Sequence, residues 1–116
     1  MLSRKGLNMS DEFKISLAQL NATVGDLSGN TQKVMEAWEI ARDQRSDLIA
    51  FPELFITGYN PQDLILKTAF QKAATSSIDQ IAKACAQGPA IAIGGPFYDD
   101  NKLYNSYYIL ADGKIQ

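Results

Sequence analysis

Three short apolar runs, spaced by stretches long enough for a helix, constrain this chain more than any other feature. The runs are FKISLAQL (13–20), DLIAF (47–51) and AIAIGGPFY (90–98). Strand-length runs alternating with helix-length segments predict an α/β chain with a mixed sheet. In the first run Phe13, Ile15 and Leu17 face one way and Lys14 and Ser16 the other, which predicts a strand whose apolar face is the better buried. The second run is apolar on consecutive residues, as expected of a strand covered on both faces. Pro52 has no amide hydrogen and ends that strand's ladder.

Between the strands, residues 21–30 hold Gly25, Asp26, Ser28, Gly29 and Asn30, a loop that ends in helix N-cap chemistry. From Thr31 to Gln44 the residues Val34, Ala37, Trp38 and Ala41 share one helical face. A helical turn is expected at 62–67. A longer helix is expected from Phe70 to Ala86, with Phe70, Ala74, Ile78, Ile81 and Cys85 on one stripe. Gly88-Pro89 ends it. Asp99-Asp100-Asn101 turns the third strand into a fourth at 102–110, and Asp112-Gly113 opens a further turn. Residues 1–11 read as a flexible leader and 12–116 as a single domain.

Several function classes drop out. Without histidine in its 116 residues, the chain forms no Ser-His-Asp triad, Cys-His pair or His-containing metal site. A lone cysteine, Cys85, rules out an intrachain disulfide and makes a reducing, cytoplasmic setting the default. A formal net charge of −2 with scattered Lys and Arg argues against nucleic acid as a partner. The opening residues lack the apolar core of a secretory signal, and no apolar stretch approaches the ~20 residues of a membrane helix. Gly25, Gly29, Gly94 and Gly95 fit neither G-x-G-x-x-G nor a Walker loop, so close backbone approach is the reading of Gly94-Gly95.

Among residues that could carry chemistry, Cys85 stands on an apolar helix stripe, where burial raises a thiol pKa and leaves it inert. Glu53 follows Pro52 at the carboxyl end of a strand, where ligands bind in open α/β sheets. Partial burial there would suit it to general-base work; equally, it could cap a turn or pair with a surface lysine. Tyr59 could stack on a substrate or plug its own loop. Asn105 sits mid-strand, where asparagine is disfavoured, and either satisfies backbone groups near a cleft or faces water. Tyr98, Tyr104, Tyr107 and Tyr108 are read as sheet packing.

The segments FKISLAQLNATVGDLSGN, SDLIAFPELFITGYNPQDLIL and IAIGGPFYDDNKLYNSYYILADGKI closely resemble the carbon–nitrogen hydrolase (nitrilase) family over residues 12–116. An apolar strand running into PEL is the family signature. The extension Thr57-Gly58-Tyr59-Asn60-Pro61-Gln62-Asp63-Leu64 resembles the glutaminase branch attached to NAD+ synthetases. The resemblance implies the N-terminal portion of a nitrilase-type α-β-β-α sandwich, a mixed sheet with helices packed on one face. It implies L-glutamine as substrate and a Glu-Lys-Cys triad in which Glu53 is the general base, with Tyr59 in the glutamine pocket. It further implies a separate synthetase domain that uses ATP and Mg to amidate nicotinic acid adenine dinucleotide, in a cytoplasmic homo-oligomer. The family's lysine and nucleophilic cysteine match no position of this chain, so the 116 residues alone are expected to be inactive. The alternatives are a stand-alone amidase of the same family or a non-catalytic α/β module. One departure is Arg45-Ser46, where relatives carry Gly-Ala and a left-handed helix cap would strain arginine.

Overall fold

The computed structural model describes residues 12–58, 66–100 and 102–116. The expected leader, the helical turn at 62–67 save its last two residues, and Tyr59 lie outside them. In order the elements are β1 (Ile15–Leu17), α1 (Leu27–Asp43), β2 (Leu48–Ala50), α2 (Thr68–Ala84), β3 (Ala90–Asp99), β4 (Lys102–Ala111) and β5 (Lys114–Ile115). They build one mixed sheet of order β1-β2-β3-β4-β5. The first three strands are parallel, with Ile49 level with Ser16 on one side and Ile91 on the other. β3 and β4 form a long antiparallel hairpin, Ile91 opposite Leu110 and Asp99 opposite Lys102.

Both helices pack on one face of this sheet. Val34, Trp38 and Ala41 of α1 and Ala74, Ile78, Ile81 and Ala82 of α2 enclose Ile49, Ile91, Ile93 and Leu110. α1 begins earlier than its apolar spacing suggests, because the Asp26 carboxylate caps it by accepting from the Gly29 amide at 3.0 Å. It ends in a Schellman motif: the Ser46 amide donates to Ala41 O and the Arg45 amide to Arg42 O, both at 3.0 Å. Arg45 is the left-handed residue of that motif, at φ 60°. The strain expected of it is present.

One expectation is overturned. The apolar residues of the first run are its outward ones: Ile15 is 51% and Leu17 71% exposed, while Ser16 faces the helices and meets Ser46 hydroxyl to hydroxyl. Alternation fixes which residues share a face but not which face the helices cover. The regular strand is also shorter than the run, three residues instead of eight. The face opposite the helices therefore carries Ile15, Leu17, Tyr107 and Ile109 in the open.

Candidate active site

β2 stops where Pro52 removes the next donor; the last ladder bond runs from the Phe51 amide to Ala92 O at 2.8 Å. The chain then winds into a tight turn. The Phe55 amide donates to Pro52 O, Thr57 to Leu54 O and Gly58 to Phe55 O, each at 3.2 Å. Phe51, Leu54, Phe55, Ile56 and Thr57 are all buried, and the rings of Phe51 and Phe55 lie 5.3 Å apart. Pro52 and Glu53 are the exposed residues between them. Leu54, directly after it, is held at φ 52°. A left-handed non-glycine residue costs about 1–3 kcal/mol. Burying Phe55 and Ile56 supplies about 1.5–3 kcal/mol each, enough to hold the turn in that shape.

The glycines of β3 make room for the turn. A Cβ on Gly94 would lie 2.3 Å from Leu54 N and 2.8 Å from Glu53 Cα, so the turn rests directly on the β3 backbone. The close-approach reading of this pair is therefore the structural one. Gly94 O in turn accepts from the Ile56 amide at 3.4 Å.

Two side chains of β4 reach across β3 to the same turn. Tyr107, opposite Gly94, donates its hydroxyl to Phe51 O at 2.5 Å. Asn105, opposite Pro96, donates its side-chain amide to Glu53 Oε1. The mid-strand asparagine thus meets neither a backbone group nor water alone; it meets the candidate carboxylate. Desolvation pushes the Tyr107 phenol above its ordinary pKa. Tyr107 is thus more than sheet packing, and nothing in its spacing distinguished it from its neighbours. Tyr108 does pack, on the helix side, and donates to Pro96 O at 2.5 Å.

Glu53 differs from the expectation of partial burial. It stands at the end of the sheet face that the helices leave open, so water reaches it. The side-chain partner shown is an amide rather than a lysine. Cys85 is 6% exposed, at the end of α2. Burial, and secondarily the charge of Glu39 against a smaller opposing effect of Arg42, pushes its thiol up to about 11. α2 leads into Ala90, which pairs with Leu48 at the start of β2, whereas Glu53 follows the end of β2. The thiol and the carboxylate thus occupy opposite ends of the sheet. Cys85 is a core residue.

Comparison with known proteins agrees with this arrangement. The family model described as carbon-nitrogen hydrolase matches residues 14–115. The glutamine-dependent NAD(+) synthetase of Rhodobacter capsulatus is 47% identical over 107 residues, 92% of this chain and 19% of that protein. Among solved structures, a glutamine-dependent NAD(+) synthetase from Cytophaga hutchinsonii superposes with a TM-score of 0.84 at 27% identity, over 90% of this chain and 18% of its own. An amidase from Nesterenkonia sp. shares the fold, with a TM-score of 0.76 at 23% identity over 96% of this chain and 43% of its own. The chain spans about a fifth of the length of the curated relatives it matches. With its PEL turn mounted at the end of β2 and a match over nearly all described residues, the chain belongs to the carbon–nitrogen hydrolase family.

Proposed function

We propose that these residues form the N-terminal part of a glutamine amidohydrolase domain that supplies ammonia for ATP-dependent amidation of nicotinic acid adenine dinucleotide. The observation that carries the reading is Glu53 itself. Its carboxylate is presented in water at the carboxyl end of β2 by a turn that is buried from Leu54 to Gly58, on a chain 47% identical to a glutamine-dependent NAD(+) synthetase. In this reading Glu53 takes the proton of a cysteine thiol, and the resulting thiolate attacks the side-chain amide carbon of L-glutamine. Glu53 returns that proton to the leaving nitrogen, ammonia departs, and water, giving a proton to Glu53 in turn, cleaves the thioester to release glutamate and restore the thiol. A lysine stabilises the oxyanion.

That lysine and the nucleophile are assigned to no residue of this chain. Cys85 is buried with a raised pKa at the wrong end of the sheet, so a preparation of these 116 residues by themselves turns over no glutamine. Tyr59 is assigned to the glutamine pocket. ATP and Mg belong to a synthetase domain, and the working enzyme is a cytoplasmic homo-oligomer. The described part of the chain has no helix long and apolar enough to cross a membrane. The open sheet face, with Ile15, Leu17, Tyr107 and Ile109 exposed, fits the inner surface of a sandwich awaiting its second layer. A stand-alone amidase has only likeness of fold in its favour.

The test is Glu53→Gln in the full-length enzyme. Glutamine-driven NAD+ synthesis should be lost while synthesis from added ammonium continues at the wild-type rate. Glutamine-driven synthesis at the wild-type rate refutes the base role.

A further inference from the structure

We infer that Asn105 is a positioning residue for Glu53: its side-chain amide holds Oε1 of the carboxylate and leaves Oε2 to receive the proton. The inference rests on the base role of Glu53 proposed above. An exposed glutamate with its own freely rotating side chain would sample many directions, and a base acts only within hydrogen-bond reach of the proton it removes. The buried turn fixes the backbone of Glu53 but not its carboxylate. What fixes the carboxylate in the structure is the amide of Asn105.

The surrounding sequence is shaped for that reach. Between β4 and the turn, the outward residues of β3 are Gly94 and Pro96, one without a side chain and one with a flat ring. Asn105 and Tyr107 cross this low ridge side by side, the first to the Glu53 carboxylate and the second to Phe51 O. Pro96 is tolerated because β2 ends beside Ala92, so beyond it this edge of β3 has no parallel partner for a proline to disrupt. An asparagine is otherwise a poor choice for the interior of a strand. An oxygen that already accepts a hydrogen bond is the less basic of the two, so the arrangement also chooses which oxygen works.

The experiment uses the full-length enzyme with Asn105→Leu, Asn105→Asp, Glu53→Gln and the double variant Glu53→Gln/Asn105→Leu. Both Asn105 variants keep roughly the size of asparagine and lack its donor; aspartate carries the test if leucine disturbs folding. Each should lower kcat for glutamine hydrolysis about 10- to 100-fold, as expected of a misplaced catalytic group, with KM for glutamine changed less than about two-fold. The melting temperature should stay near that of wild type. The double variant should be no slower than Glu53→Gln alone, because a positioning residue has nothing left to position. An unchanged kcat in the Asn105 variants, or losses that multiply in the double variant, overturns the inference while leaving the base role standing. Wild-type hydrolysis by Glu53→Gln refutes the base role instead, and the positioning role with it.

Discussion

Gly94→Ala tests the close approach on which the site depends. The added Cβ would sit 2.3 Å from Leu54 N, where ordinary contact begins at 3.4 Å, and 2.8 Å from Glu53 Cα. Both neighbours are backbone atoms and cannot rotate away. Either β3 or the turn must shift by about 1 Å, and overpacking of this kind costs about 1–3 kcal/mol. Phe55 and Ile56 anchor the far side of the turn in the core, so the displacement falls on Glu53. A misplacement of that size is worth about 100-fold in rate. Gly95→Ala is the matched control. Its Cβ would meet Ile78 Cδ1 at 2.8 Å and Ile56 Cγ2 at 3.1 Å, side-chain ends that can give way, on the helix side of the same strand. Glutamine hydrolysis and urea denaturation of the two full-length variants provide the comparison. Gly94→Ala should lose activity about 100-fold, and Gly95→Ala less than about five-fold, with stability falling in both. Equal rates for the two variants, or a greater loss in Gly95→Ala, would refute the reasoning.

Arg45→Gly should stabilise the fold by about 0.5–1 kcal/mol, since glycine relieves the left-handed strain at φ 60° but has more backbone freedom to lose. A urea midpoint at or below that of wild type contradicts this. Cys85 should make the protein less stable in alkali. Its thiol pKa is raised from 9.0 to about 11 on folding, so above pH 9 the unfolded chain holds fewer protons than the folded one and stability falls until pH passes 11. Two pH units bound the effect at about 2.7 kcal/mol. Burial raises the Tyr107 and Tyr108 phenols too and acts in the same direction. The thiol's share is therefore the difference in alkaline slope between wild type and Cys85→Ala. Identical slopes would show that the thiol contributes nothing.

The alternation of strand and helix was legible because hydrophobic spacing and turn residues act locally. Val34, Trp38 and Ala41, and Ala74, Ile78 and Ile81, lie where their spacing puts them. The face of β1 was not legible, since its orientation is decided by where α1 and α2 pack, a long-range choice. The early start of α1 turned on one cap, Asp26, competing with several equally plausible neighbours. At the site, Pro52 and Glu53 announced themselves through chemistry that conflicts with a buried strand. Asn105 drew notice for the same reason, but its partner stands 52 residues away and only the register of β3 on β4 brings the two together. Tyr107 gave no signal, because a tyrosine on a strand is ordinary until the glycine opposite it is known.

Asn30 is wholly buried near the start of α1, and its amide donates to Thr23 O at 2.8 Å and Ile56 O at 3.1 Å while its oxygen accepts from the Thr23 amide at 2.8 Å. The Gly25 amide adds a second rivet, to Thr57 O at 2.9 Å. Any push on the segment that carries Glu53 is therefore transmitted straight into the opening turn of a seventeen-residue helix. The carboxylate is mounted on a stiff bracket and not on a spring, and whatever adapts when a substrate arrives must be something other than this turn.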